Sequence, residues 1–215
     1  MKFLRFTLLT EGSSDQALIP HLLWLLKQNG VTLSILHEWA NDGLSRLREK
    51  PQNLAERIDR SVELYPCDLL FVHRDADREG LEKREDEINE ALTKTKVKGF
   101  VPICVIPVRM TEAWMLFDES AIKRASGNPN GRENLVLPKI KTVEAEPDPK
   151  KILHDLLKKA SERTGRRLQN FHVGHHSLLV SENIQDFSLL RQLPAFVKLE
   201  HNIIEALKLI DALDK

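Results

Sequence analysis

The sequence predicts an α/β protein with a parallel sheet flanked by helices, followed by an α-helical C-terminal extension. Short apolar runs alternate with stretches of helical periodicity through the first half of the chain, and each run ends in polar, turn-forming residues. The second half keeps the helical patterns but has no comparable series of strand-like runs. Such alternation is typical of βαβ units joined by right-handed crossovers. We therefore expect a sheet-containing core at residues 1–110 and a mostly helical extension at 111–215.

The individual elements are expected in a regular order. Four apolar runs predict strands at 3–9, 31–36, 68–72 and 101–108. Helical patterns between the runs predict helices at 16–27, 54–64 and 78–92. The fourth strand is expected near an edge, because Pro102 and Pro107 cannot donate ladder hydrogen bonds.

The second half has its own pattern. Helical stretches are expected at 111–125, 148–162 and 194–213. Between the first two of these, a connection rich in Gly, Asn and Pro is a candidate lid or contact loop.

Composition and charge limit the class of protein. A hydrophobic content of 41% with 30% charged residues is typical of a soluble globular chain. The net charge of zero excludes a global basic field, so any nucleic-acid contact must be local or come from a partner. Cys67 and Cys104 lie in or beside apolar runs without metal-ligand spacing, which predicts buried thiols in a reducing compartment. The N-terminal apolar stretch is interrupted at Arg5 and is too short for a signal or membrane span. We expect a cytoplasmic protein with no membrane partner.

Acidic side chains follow two of the predicted strands. Glu11 comes after the first, and Asp75 and Asp77 come after the third. Ligands of open parallel sheets bind outside the carboxyl ends of the strands, and clustered carboxylates there repel one another unless a cation lies between them. Hard oxygen ligands suit Mg²⁺, which supports phosphoester chemistry. Asp15, about one helical turn beyond Glu11, is in reach of a second ion. Taken singly, each motif is more often a turn or a helix cap, and only their joint occurrence favours a metal site.

Two segments resemble the signature segments of the Toprim domain: LLTEGSSD at 8–15 and LLFVHRDADREG at 69–80. That domain is shared by topoisomerases, bacterial primases, recombination proteins and OLD-family nucleases. The resemblance implies a Toprim-like, Rossmann-like sheet in which Glu11 is a general acid/base or metal ligand and Asp75 and Asp77 bind Mg²⁺, or Mn²⁺ in its place. An acid at Asp15 is more similar to the two-metal OLD-type nucleases, which favours cleavage over strand passage. A topoisomerase is disfavoured, because the only tyrosine, Tyr65, precedes the third strand on its far side.

Two further segments resemble a small group of Toprim-like bacterial proteins encoded beside an ATPase: RMTEAWMLFD at 109–118 and EPDPKK at 146–151. This similarity implies that Glu112 joins the metal site and that Lys150 or Lys151 contacts phosphate. A helix-start acid is the alternative for Glu112.

Basic residues are dense only around 158–167, where they either bind a nucleic-acid backbone or form a solvated helix end. The nucleic-acid contacts we expect are Arg78, Lys150, Lys151, Arg166 and Arg167. The histidines at 172, 175 and 176 lack a Cys partner or an HExxH spacing and predict a surface loop.

The leading hypothesis is a Mg²⁺- or Mn²⁺-dependent nuclease, with DNA as the expected substrate, in phage defence or DNA maintenance. Two alternatives stay open. One is a non-catalytic Toprim module that binds an ATPase partner, and the other is an RNA-processing nuclease. The sequence leaves a homo-oligomer open as well.

Overall fold

A four-stranded, all-parallel sheet lies at the centre of the computed structural model, which describes residues 3–76 and 79–213. The strands are β1 Phe3–Leu9, β2 Ser34–Trp39, β3 Leu69–His73 and β4 Val101–Val105. Their order is β2-β1-β3-β4. This confirms the predicted α/β class and places the Pro-containing strand β4 at an edge.

Helices flank the sheet and make up most of the second half of the chain. The α-helices are α1 Ile19–Gln28, α2 Ala40–Arg46, α3 Leu54–Leu64, α4 Leu81–Lys94, α5 Glu119–Ala125, α6 Pro149–Ala160, α7 Gly165–Gln169, α8 Val173–Asn183 and α9 Pro194–Leu213. Single turns of 3₁₀ helix lie at Ser14–Leu18, Thr111–Met115, Ile140–Ala145 and Ser188–Gln192.

The second strand begins three residues later than predicted, because the end of α1 uses the intervening chain. Gly30 adopts the left-handed conformation (φ 93°). Its amide bonds to the Lys27 carbonyl at 3.3 Å, and the Val31 amide bonds to the Leu26 carbonyl at 3.1 Å. This is a Schellman cap, in which the residue after the glycine packs back on the helix. Val31 therefore belongs to the cap and packs against the core instead of entering β2.

Several expectations for the helices need correction. The predicted helix 111–125 is divided, because the Asp118 side chain accepts from the Ala121 amide at 2.9 Å and starts a new helix. The histidine segment predicted as a surface loop enters helix α8, whose packing is helped by His176 stacked on Phe171 with ring centroids 4.1 Å apart. Helices α2 and α7 were also not predicted; both are short, and their sequences lack a strong apolar period.

Each face of the sheet carries its own apolar core. One core packs side chains of β1 and β3 against α2, α3 and α4. The other packs the opposite face of the same strands against α1 and the helices of the second half, around the fully buried Trp114. Side chains of successive strand residues point to opposite faces of the sheet. Because a core covers each face, every residue of β3 is buried.

The register brings the ends of β1 and β3 side by side. Leu9 pairs with Val72. Beyond β3, the ladder to the β4 side continues through Arg74 N to Val105 O (3.2 Å) and Ala76 N to Pro107 O (3.0 Å). These bonds keep the segment that carries Asp75 extended at the carboxyl edge of the sheet.

Within the described ranges, no helix has the length and apolarity required to cross a membrane. Both cysteines are free thiols, Cys67 buried and Cys104 half-buried. Burial raises the pKa of the Cys67 thiol, and it raises that of Cys104 to about 11, which leaves both unreactive near neutral pH.

Candidate metal site

Three loops meet at the carboxyl edge of the sheet. The loop after β1 carries Glu11 and Asp15, the segment after β3 carries Asp75, and the chain after β4 supplies Thr111 and Glu112. The prediction that acids after β1 and β3 come together is thus supported by the strand order, in which these two strands are neighbours.

The centre of this site is His73, the last residue of β3, which lies between two carboxylates. Its Nδ1 is 3.5 Å from Asp15 Oδ2, and its Nε2 is 3.2 Å from Asp75 Oδ1. The Thr111 hydroxyl is 3.3 Å from Nε2. The three side chains of His73, Asp15 and Asp75 offer ligand atoms that all lie within 4.8 Å of one another. The His73 side chain is 0% exposed and Asp15 is 7% exposed, so this cluster is largely shielded from water.

Asp15 also has a local structural role. Its Oδ2 accepts from the Gly12 amide at 2.8 Å, and its Oδ1 accepts from the Ser14 hydroxyl at 3.3 Å. These bonds close the turn that starts the 3₁₀ helix, as expected for an acid at a helix start. The role in the turn and the contact with His73 coexist, because the same carboxylate faces both.

Glu11 lies at the more exposed rim of the site. Its Oε1 is 2.7 Å from Arg74 Nε, and its Oε2 accepts from the Asp75 amide at 3.4 Å. Arg74 also lies 3.4 Å from Glu87 of α4. Glu11 therefore contacts the segment that follows β3, and the Arg74 guanidinium balances its charge.

Glu112 is buried to 4% exposure in the 3₁₀ helix after β4. Its Oε1 is 3.3 Å from Lys150 Nζ, at the start of α6. It contributes negative potential at Asp75, although it is not one of the three residues whose ligand atoms cluster. Its position in the first turn fits the helix-start alternative as well as a role in the site.

The local electrostatics disfavour a charged Asp75 when the site holds no cation. Burial raises the pKa of this carboxyl most, and the charges of Asp15 and Glu112 raise it further, while His73 opposes them. Among the described residues, the carboxylates of Asp15 and Asp75 both face the His73 ring, and neither is paired with Lys or Arg. A bound cation would lower the free energy of this arrangement, and the donor set of carboxylates and one imidazole fits a divalent metal ion.

The loop that carries Glu11 is held by side chains from β2, α2 and α3. Asn41 bonds both ways with the Thr10 backbone, accepting from its amide at 3.0 Å and donating to its carbonyl at 2.8 Å. Arg57 donates to the same carbonyl at 2.6 Å, and the Trp39 indole donates to the Thr10 hydroxyl at 3.1 Å. Asn41 thus replaces a strand partner at the point where β1 ends.

A strained turn precedes Thr111 and Glu112. Arg109 has φ 67°, a value that few residues other than glycine adopt, and the Met110 amide bonds to the Val108 carbonyl at 3.0 Å. This turn redirects the chain from β4 into the site. Strained residues of this kind are often found at functional sites.

The predicted nucleic-acid contacts occupy different positions. Lys150 is at the site through Glu112, whereas the Lys151 ammonium pairs with Asp155 at 3.3 Å on the exposed side of α6. Arg166 and Arg167 are exposed on α7, at the opposite end of α6. Two of the predicted residues, Asp77 and Arg78, lie outside the described residues.

The sequence patterns did not assign His73, Thr111, Arg74 or Asn41 to the site. A signal for His73 was present: it lies two residues before Asp75, and residues two apart in an extended chain face the same side. His73 and Asp75 are two residues apart, as are Asp75 and Asp77. The same two-residue spacing that indicated the Asp75 and Asp77 pair therefore also applies to His73. No sequence signal identifies Asn41, because it comes from an unpredicted helix.

Comparison of the chain with protein-family models, with curated proteins and with solved structures finds no match. What this protein does must therefore be inferred from the chemistry of its own side chains.

Proposed function

We propose that this chain is a metal-dependent phosphodiesterase that cleaves nucleic acid, with DNA as the expected substrate. One observation carries the proposal. Two strand ends bring the carboxylates of Asp15 and Asp75 to either side of a buried histidine, without a lysine or arginine to balance them among the described residues. Such an arrangement is costly without a cation and suits one that binds phosphate oxygens.

The metal proposed is Mg²⁺ or Mn²⁺, which when bound would polarise the phosphoryl group and make bound water a better nucleophile. Asp75 and Asp15 would hold it. Glu11 is better suited to accept a proton, because it is 36% exposed at the rim and a flexible side chain there can reach incoming water. Its partner Arg74 then stabilises the carboxylate between turnovers.

Lys150 is the basic group best placed to contact substrate phosphate. Its side chain is 46% exposed, and its only ion-pair partner within the described part of the chain is Glu112, at 3.3 Å. A phosphate entering the site can share this ammonium. The resemblance to Toprim-like nucleases adds to the proposal and is the source of the expected role in phage defence or DNA maintenance.

The test is cleavage of plasmid DNA, single-stranded DNA and structured RNA with Mg²⁺ or Mn²⁺. The variants are Asp75→Asn and Asp15→Asn, which keep side-chain size and remove charge. The matched control is Glu90→Gln, a carboxylate that is 69% exposed on α4 and outside the metal-ligand cluster. EDTA-treated wild type supplies the metal-free baseline.

We expect metal-dependent cleavage that falls at least about a hundredfold in both site variants, as for loss of a group that stabilises the transition state, and that is unchanged in Glu90→Gln. Faster cleavage of RNA than of both DNA substrates would show that RNA is the substrate. Equal cleavage by wild type, EDTA-treated protein and all variants would exclude intrinsic cleavage. It would favour the alternative of a non-catalytic module that binds an ATPase partner.

A further inference from the structure

The imidazole of His73 has one nitrogen that the protein itself does not satisfy. The side chain is 0% exposed. Nε2 contacts Asp75 Oδ1 and the Thr111 hydroxyl, at 3.2 and 3.3 Å. Nδ1 is buried and makes no hydrogen bond, although Asp15 Oδ2 is 3.5 Å away. Buried polar atoms are rarely left without a partner, so this one points to an absent ligand.

The contacts of the ring leave Nδ1 as the nitrogen without a hydrogen bond, because Asp15 Oδ2 at 3.5 Å is beyond the usual N–H···O distance. A cation between Nδ1 and Asp15 Oδ2 gives both atoms a partner, because each then acts as a ligand.

We infer that His73 Nδ1 and Asp15 Oδ2 together bind a divalent transition-metal ion, and that Asp75 orients the imidazole through its Nε2 proton. Metal-bound histidines commonly donate their second ring nitrogen to a carboxylate, which fixes the tautomer and raises the basicity of the ligand. The same arrangement occurs here, with Asp75 at one ring nitrogen of His73 and Asp15 at the other. Gly12 and Ser14 in turn hold the Asp15 carboxylate through their hydrogen bonds.

The distance between the two proposed ligand atoms fits one shared ion. Nitrogen and oxygen ligands lie about 2.1 Å from such ions, so a separation of 3.5 Å corresponds to an angle of about 110° at the metal. Imidazole favours Mn²⁺, Fe²⁺ or Zn²⁺ over Mg²⁺, which prefers oxygen ligands and bound water. The metal expected at this position therefore narrows from Mg²⁺ or Mn²⁺ to Mn²⁺ or another transition-metal ion such as Zn²⁺.

This inference rests on the proposed function and refines it, because it names the metal class of the same site. It also divides the carboxylates by role. Asp15 shares its ion with nitrogen, whereas Glu11 pairs with Arg74 and accepts from the Asp75 backbone amide.

The experiment measures metal binding directly and does not depend on cleavage. Tag-free protein stripped with EDTA is loaded with Mn²⁺, and pulsed electron paramagnetic resonance is used to detect coupling of the ion to a directly bound imidazole nitrogen. We expect this coupling in the wild type, with its isotope pattern changed by ¹⁵N-histidine labelling, and we expect it to persist in excess Mg²⁺. In His73→Gln the coupling disappears and the Mn²⁺ affinity falls at least about tenfold.

His175→Ala is the matched control, since His175 is an exposed histidine of α8 and its removal should leave the coupling unchanged. Bound Mn²⁺ without nitrogen coupling in the wild type would overturn the histidine assignment and leave a carboxylate-only site for the proposed nuclease. Absence of Mn²⁺ binding would overturn the histidine assignment, and the nuclease proposal would then depend on the cleavage assay with Mg²⁺. Nitrogen coupling together with no cleavage of any substrate would support the histidine ligand and reject the nuclease. Because the wild-type spectrum is itself decisive, a variant that fails to fold does not weaken the test.

Discussion

At the scale of single residues, the site depends on side chains that have a structural and a chemical role at once. Asp15 closes a turn through the Gly12 amide and faces His73 with the same oxygen. The alternative that such acids form turns is therefore correct for Asp15 in part, but it does not account for a buried imidazole beside it. Burial of both partners is what distinguishes a site from a turn here.

Two glycines in helices show how packing decides whether substitution by alanine raises or lowers the free energy of unfolding. A Cβ on Gly43 of α2 would lie 2.7 Å from the Tyr65 hydroxyl oxygen, whereas one on Gly174 of α8 would meet nothing within 4 Å. We expect Gly43→Ala to lower the free energy of unfolding by about 1–3 kcal/mol, because the Tyr65 ring must move. Gly174→Ala should raise it by up to about 1 kcal/mol through helix propensity.

Urea unfolding of both variants beside the wild type measures these changes. Equal effects of the two substitutions would show that contact with Tyr65 does not restrict position 43.

At the scale of elements, His21 of α1 links that helix to the 3₁₀ helix that carries Glu112. The ring is fully buried, with Nδ1 3.0 Å from the Ala17 carbonyl and Nε2 3.4 Å from the Trp114 carbonyl. It also packs on Phe187 with ring centroids 4.3 Å apart. Because burial outweighs both hydrogen bonds, the pKa of His21 is lowered to about 4.

The lowered pKa predicts a loss of stability in acid. His21 is neutral when folded, but the unfolded chain takes up a proton near the ordinary pKa of 6.5. Its contribution is therefore complete above that value and is lost as the pH falls towards about 4, by up to about 3 kcal/mol. Urea unfolding across this pH window should show a steeper decline for wild type than for His21→Leu. Parallel curves for the two proteins would contradict the assignment.

At the scale of the whole molecule, zero net charge means that any contact with nucleic acid must depend on local clusters of basic residues. One candidate is a surface cavity of about 660 Å³ beyond the end of α6, which is lined in part by Arg163, Arg167, Asn128 and Asn170. The Arg163 guanidinium lies 5.0 Å from the centre of the Phe171 ring, so it is partly fixed in place. Glu162 is engaged by the backbone amides of Arg132 and Glu133.

We expect the double variant Arg163→Ala/Arg167→Ala to bind DNA more weakly, and to reduce the slope of log affinity against log salt by about 1 for each phosphate that it no longer neutralises. Fluorescence anisotropy across a salt series measures this. Arg60→Ala, a surface arginine paired with Glu63 on α3, is the control and should keep the wild-type slope. An unchanged slope in the double variant would show that the cavity does not bind the DNA backbone.

Much of the fold could be predicted from the sequence, because the sequence patterns that indicate it are local. The apolar run of β3, the helical period of 54–64 and the acids that end the strands all depend on neighbours in the chain. The prediction that Glu11, Asp75 and Asp77 share one edge, with Asp15 in reach, required the rule that parallel strands end together and the adjacency of β1 and β3. The Schellman cap that delays β2 and the cap at Asp118 are local too, but they move boundaries by only a few residues.

By itself, therefore, the sequence determined the α/β class, the alternation of strands and helices, and the carboxylates at the strand ends. Only the tertiary structure decided which groups surround them: His73 between Asp15 and Asp75, Thr111 beside its ring, Lys150 on Glu112, and Asn41 on Thr10. The physical reason is that these contacts join residues distant in the chain, and their geometry is set by strand order and helix packing. Local propensity and periodicity carry no information about either.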